Sequence, residues 1–369
     1  MLRAMQQLRI GLIGCGRIVE RVHLPTLVRL DGVVVAALAE TDVTRLQDAR
    51  RGVPDARWFT DYGELLEHGG LEAVVICVPP FLHAKAAIAA FERGLHVYLE
   101  KPIATTVDDA TRIVAAWRLA GTQGQIGFNF RFHPLVVQLR EALRNGVLGE
   151  IVGVRTVFCG ATRAQPEWKR QRSTGGGAPM ELASHHVDLA RFLFDQEVVE
   201  VGAALRSIES ENDTASIDLR LADGPLVTIF TSLSAIEEDR IEVYGSRGAL
   251  VFDRYRSSRL RFVPAHRDFR RLARLRASAA TLAALPRTLR DVVSPPPERS
   301  YALAFAAFAR AVQNNCAAAP NLDDGLRSLA VVAAAERAAS SGRCMTLAAE
   351  TSAATSSQLR TPSALGGKA

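Results

Sequence analysis

The stretch Leu8-Arg-Ile-Gly-Leu-Ile-Gly14-Cys-Gly16-Arg-Ile-Val19 decides how this 369-residue chain is read. An apolar, β-branched run ends at two glycines, and a helical pattern follows. Glycines at a strand-to-helix turn let the backbone approach a pyrophosphate closely and aim a helix N-terminus at it. Val19 stands where a third glycine or alanine is usual. Glu40 closes the next apolar run, 21 positions beyond Val19, near the spacing of about 20 at which an acid accepts hydrogen bonds from an adenosine ribose. A carboxylate there binds two hydroxyls and repels a 2′-phosphate, so NAD is expected ahead of NADP. Asp42 is close enough to compete for that role. Gly14, Gly16, Arg17, Ile18 and Glu40 are the cofactor-binding candidates at this end of the chain.

Working outward, the first 128 residues repeat the rhythm of strand and helix. Strands are expected at Leu8–Ile13, Val33–Ala39, Ala73–Val78, His96–Leu99 and Gln125–Phe128, each apolar enough to be buried on both faces. Helices are expected at Phe81–Arg93 and Val107–Ala120, ending at Gly94 and Gly121. Right-handed crossovers then give a doubly wound parallel sheet of the Rossmann kind over residues 1–128. From about Gly149 longer alternating runs take over: Ile151–Cys159, Val198–Ser207, Ala215–Leu221, Leu226–Ser232, Arg240–Tyr244 and Ala249–Phe252. They predict an α+β domain over 129–349, its open, mainly antiparallel sheet covered on one face by helices at Pro134–Asn145, Ser184–Phe194, Tyr301–Gln313 and Asp324–Ser341. The segment 350–369, rich in Ser, Thr, Ala and Gly, reads as a flexible tail.

Bulk properties set limits. The chain is 48% hydrophobic and 23% charged, long enough for about two domains, with no apolar run near the roughly 18 residues needed to span a bilayer. A cytoplasmic location is expected, since the N-terminus passes straight into a strand. Five scattered cysteines without a CxxC pair suggest reduced, mostly buried thiols rather than a zinc site. The net charge of +6 does not describe the whole surface: between Arg254 and Arg290 eleven arginines face Asp268 alone, so the rest of the chain is net acidic and a nucleic-acid partner is not expected. Within that stretch Phe269, Leu272, Leu275, Ala279 and Leu282 recur at helical spacing, the pattern of a basic amphipathic helix inside an insertion at about 263–298.

Three further segments carry chemistry. Val74-Val-Ile-Cys-Val-Pro79-Pro80-Phe-Leu-His83 precedes Gly94-Leu-His-Val-Tyr-Leu-Glu100-Lys101-Pro102. Gly127-Phe-Asn129-Phe-Arg131-Phe-His-Pro134 follows, and then Gly175-Gly-Gly-Ala-Pro-Met-Glu181-Leu-Ala183-Ser-His185-His186-Val-Asp188. In order and spacing these resemble the Gfo/Idh/MocA oxidoreductases, over about residues 7 to 262 and 301 to 348. The resemblance implies that Lys101, ending a strand beside the nicotinamide, touches both cofactor and substrate hydroxyl, and that its bond to Pro102 is often cis. It places Pro79, His83, Glu100 and Asn129 around the cofactor, and Arg131, Trp168, Lys169 and Arg170 around a sugar-like substrate. It also implies a homodimer or homotetramer formed through the C-terminal sheet.

Physical chemistry supports part of this independently. A lysine at the carboxyl end of a parallel strand lies where ligands bind in open α/β sheets, and its ammonium stabilises a developing alkoxide. Glu181, His185 and Asp188 are spaced to share a helix face. Histidine suits removal of a hydroxyl proton, so His185 is the expected acid/base, with Lys101 assisting and Glu181 orienting substrate. Glu181 and Ala183 replace the family's usual Asp and Gly, and one methylene displaces a carboxylate enough to change substrate. Glu181, His185 and His186 also form a metal-like set, but adjacent helical residues diverge by about 100°, so no metal is expected. The expected activity is hydride transfer between nicotinamide and a secondary hydroxyl or ketone of a sugar, cyclitol or nucleotide-linked sugar. Two alternatives use the same residues: a glycosidase that oxidises transiently on held NAD, and a binding or regulatory homologue that has lost the chemistry.

Overall fold

A computed structural model describes residues 7–161, 165–265 and 298–347. Six parallel strands, β1 (Leu8–Ile13), β2 (Val33–Ala39), β3 (Arg57–Phe59), β4 (Ala73–Ile76), β5 (His96–Leu99) and β6 (Gly124–Ile126), form one sheet in the order β3-β2-β1-β4-β5-β6. The order reverses between β1 and β4, so the chain leaves their carboxyl ends toward opposite faces and opens a crevice there. β4 stops at Ile76, short of the expected Val78, because Cys77 and Val78 already form the turn against which Gly14 packs. β3 is absent from the sequence reading. Three residues, two of them exposed, give no periodic signal.

The second sheet holds β7 (Ile151–Cys159), β8 (Val198–Arg206), β9 (Thr214–Leu221), β10 (Leu226–Ser232), β11 (Glu238–Gly245), β12 (Gly248–Asp253), β13 (Arg261–Pro264) and β14 (Met345–Thr346). Its order is β13-β12-β11-β7-β10-β9-β8-β14, and its strands run antiparallel apart from the β7/β10 pair. Period-two alternation sends Ile217, Leu219, Val227, Ile229, Ile241 and Val243 to the buried face. The opposite face carries Leu226, Phe230 and Tyr244, 65%, 41% and 40% exposed. The Leu322–Ser341 helix packs on β8 and against the Ser184–Phe194 helix, joining both sheets into one core.

One helix sits elsewhere than expected. The segment anticipated over the second sheet, Arg299–Gln313 in the structure, lies on the first, where Phe305 and Phe308 meet the buried ring of Tyr98 at 4.5 and 5.8 Å. An amphipathic stripe specifies that a helix has a core side, not which of two apolar sheets it covers. One further difference is local. All five cysteines are free as expected, but Cys316 and Cys344 are exposed. The amphipathic helix expected across Phe269–Leu282 and the tail from 350 lie outside the described residues. Among the described residues, no helix is long and apolar enough to cross a membrane.

Candidate active site

The glycine turn after β1 is shaped by contact with β4. Gly14 has φ +89°, and a Cβ there would lie 2.9 Å from the Cys77 carbonyl, so a side chain would force the strand ends apart. Gly16 is the converse: a Cβ on it would meet nothing within 4 Å among the described residues, so this side of the turn is open. Arg17 and Ile18 beside it are exposed. The Glu40 carboxylate closes the other side, accepting from Cys15 N at 2.7 Å, Asp42 N at 3.0 Å and the Thr41 hydroxyl at 3.2 Å. Asp42 is occupied as the cap of the Val43–Gly52 helix, where it accepts from Thr44 N and Arg45 N. An open glycine turn flanked by a carboxylate at the end of β2 fits a dinucleotide.

At the carboxyl end of β5 the Lys101–Pro102 peptide is cis, and Lys101 Nζ donates to the Glu181 carbonyl at 2.7 Å. The Glu181 carboxylate binds Lys169 at 2.6 Å, and the Lys169 ammonium lies 5.1 Å from the Trp168 ring centre. Burial pushes the Lys101 ammonium below its ordinary pKa, opposed by the nearby Glu181 charge. The Glu181 carboxyl falls below its usual range despite its own burial, because Lys169 and Lys101 face it. The glycine triplet makes this possible: a Cβ on Gly176 would lie 2.2 Å from the Lys169 carbonyl oxygen. Lys101, Glu181, Lys169 and Trp168 therefore converge from three separate segments.

His185 joins them from the Ser184–Phe194 helix. Its imidazole is 6% exposed and stacks on Phe130 with centroids 4.0 Å apart and planes within 12°, while Nδ1 has no hydrogen-bond partner among the described residues. Burial, reinforced by the positive charges of Lys101 and Arg254, holds this histidine well below its ordinary pKa and therefore neutral. His186 turns away, as helical geometry dictates, and meets Asp239 at 3.1 Å. Asp188 pairs with Arg131 at 2.6 Å, deep in the core.

Several residues expected near ligand are committed to protein partners instead. Arg131 is held by Asp188 and Asp324 and is 11% exposed at its side chain, leaving its guanidinium no evident reach toward substrate. The Asn129 amide donates to the Ser300 hydroxyl at 2.8 Å in the core. His83 has Nδ1 2.8 Å from the Pro102 carbonyl and Nε2 2.9 Å from the Val78 carbonyl, so it ties the turn after β4 to the Lys101 turn. Arg170 is exposed and donates to the Glu209 carbonyl. Pro79 stands partly buried at the end of β4. Glu100, expected at the cofactor, takes a hydrogen bond from Lys101 N at 3.1 Å and lies 2.8 Å from His23 Nε2. The sequence does not mark His23, Phe130 or Arg254 as site residues, because their partners are distant in the chain and leave no local signal.

A parallel sheet with an open glycine turn, a carboxylate at the end of β2 and a lysine at the carboxyl rim fits a nicotinamide-dependent oxidoreductase. Residues 8–128 match the model for the oxidoreductase family with an NAD-binding Rossmann fold, and residues 136–251 match that for the GFO/IDH/MocA C-terminal domain. The chain is 30% identical over 260 residues to myo-inositol 2-dehydrogenase of Thermotoga maritima, covering 68% of this chain and 77% of the relative. It is 29% identical over 259 residues to a dTDP-3,4-didehydro-2,6-dideoxy-alpha-D-glucose 3-reductase of Actinomadura kijaniata, covering 67% and 75%. The WlbA dehydrogenase of Bordetella pertussis, solved with NADH and UDP-GlcNAcA, superposes with a TM-score of 0.76 at 27% identity, over 93% of this chain and 98% of that one. The chain belongs to the Gfo/Idh/MocA family and is an NAD-binding oxidoreductase.

Proposed function

We propose that this protein transfers hydride between nicotinamide and a secondary hydroxyl or ketone of a sugar, a cyclitol or a nucleotide-linked sugar. The observation that carries the reading is the convergence of Lys101, Glu181, Lys169 and His185 at the carboxyl rim of the parallel sheet. When bound, NAD supplies the hydride acceptor. Lys101 faces the substrate oxygen and stabilises its negative charge as it develops. His185, kept neutral by its surroundings, takes the hydroxyl proton and returns it in the reverse direction. The Glu181 carboxylate, braced by Lys169, accepts hydrogen bonds from a neighbouring hydroxyl, and the partly buried Trp168 offers a flat apolar face to the ring.

We assign residues 1–128 to cofactor binding and 129–349 to substrate binding and assembly, with the Arg299–Gln313 helix returning to back the first sheet. Nicotinamide absorbance assays with NAD and NADP across cyclitols, aldoses, nucleotide-linked sugars and their keto forms test the activity. Lys101→Ala is expected to lower kcat by roughly 10²–10⁴ while NAD affinity stays within a few-fold. Unchanged turnover in that variant would sink the assignment. Release of an aglycone without net NADH would instead identify a glycosidase, and NAD binding without turnover of any ring substrate a regulatory homologue. The exposed sheet face bearing Leu226, Phe230 and Tyr244 is assigned to pairing between copies. Light scattering is expected to show a dimer or tetramer that Leu226→Lys with Phe230→Glu dissociates; a wild-type monomer would refute that assignment.

A further inference from the structure

Arg254 opens the arginine-rich stretch and, among its described residues, is the arginine whose charge is turned inward. It follows β12 directly, its side chain is 8% exposed, and its Nε donates to Asp239 at 2.7 Å while an outer nitrogen donates to Glu298 at 2.9 Å. Asp239 is fully buried and is shared with His186. The guanidinium carbon lies 3.9 Å from the centre of the Phe130 ring. The His185 imidazole lies parallel to the same ring at 4.0 Å. Two groups that close to one ring centre occupy opposite faces of it. The result is a layered stack of guanidinium, phenyl and imidazole, anchored at one end by Asp239 and Glu298 and free at the other.

We propose that Arg254 is a positioning residue for His185, clamping the imidazole through the Phe130 ring and placing a permanent positive charge behind it. The inference rests on the assignment of His185 as the acid/base. A guanidinium suits the task because it stacks flat on an aromatic face and does not lose its proton in the physiological range. The groups acting on His185 come from three elements: Lys101 at the end of β5, Arg254 after β12 and His186 on its own helix. All three are basic, so each disfavours a second proton on the imidazole. Phe130 fixes the plane in which His185 can turn, and Asp239 with Glu298 fixes Arg254. The residue acts at a distance from substrate, with an aromatic ring interposed.

The test replaces the buried pair together, Arg254→Met with Asp239→Asn, so that no unpaired buried charge remains. Histidine Cε1 resonances of the full-length protein are followed against pH, the His185 signal being the one missing in His185→Asn. In the wild type it is expected to stay neutral well below pH 6.5. In the double variant its titration is expected to move upward by roughly one pH unit, and Arg254→Lys to keep it near the wild-type position. The acidic limb of kcat/KM should move with it. A His185 titration unchanged in the double variant, or moved equally by Arg254→Lys, overturns the proposal, as does a fall in activity with an unmoved limb. Because the resonance is read without turnover, a moved titration that leaves kcat/KM unaffected supports the clamp and counts instead against His185 as the acid/base.

Discussion

Glu40 and Asp42 show how two neighbouring carboxylates acquire different work. Both stand after β2, and charge alone does not separate them. Backbone geometry does: Asp42 is extended and immediately precedes a helix, so its Oδ1 accepts from two free N–H groups, whereas Glu40 reaches back to Cys15 N in the glycine turn. Under the proposed function Glu40 takes the ribose hydroxyls and repels a 2′-phosphate. Glu40→Ala is expected to weaken NAD roughly ten- to a hundredfold and to narrow the preference over NADP, read by titrating both dinucleotides. Equal loss for the two would show that the carboxylate supports the loop without discriminating. His185 is the other residue-scale lesson. Its place in the motif was legible; its neutrality was not, because that depends on burial beside Lys101 and Arg254.

At the scale of elements, the glycine triplet acts as a spacer. Gly175 and Gly177 take φ of +104° and +92°, and Gly176 lies under the backbone of the Trp168-Lys169 loop. A methyl group on Gly176 has no free volume, so the Lys169 carbonyl must retreat and the Lys169–Glu181 pair with it. Gly176→Ala is expected to cost about 1–3 kcal/mol in denaturant unfolding and to raise KM more than it lowers kcat. A normal KM with reduced stability would disconnect the loop from substrate. The sequence marked these glycines as a motif, and β1, β2, β5, β7 and β10 have the limits that hydrophobic pattern indicates. It was silent on β3, β13 and β14, which are short and at sheet edges, where no apolar periodicity is needed.

At the scale of the molecule, buried histidines couple folding to pH. His83 and His185 are both held below their ordinary value of 6.5 by burial. Below about pH 6.5 the unfolded chain takes up protons that these folded rings refuse, so stability is full above that pH and falls as pH drops toward the folded values. Chemical denaturation at pH 7.5, 6.5 and 5.5 is expected to give a falling midpoint across the lower interval. A midpoint that rises there would contradict neutral burial of these rings.

Taken by itself, the sequence determined the alternation of strand and helix around the first sheet, the NAD-type turn, and the motifs that carry Lys101, Glu181 and His185, because each rests on local spacing and residue chemistry. Only the tertiary structure decided which side chains remain free to use that chemistry. Arg131 and Asn129 read as cleft residues, yet Asp188, Asp324 and Ser300 hold them, partners 57 to 193 positions away. Likewise the Arg299–Gln313 helix chose the first sheet because Tyr98 and its neighbours met its phenylalanines there. Periodicity and motif are properties of a few turns of chain, whereas hydrogen bonding, desolvation and packing are settled between segments that meet only after folding.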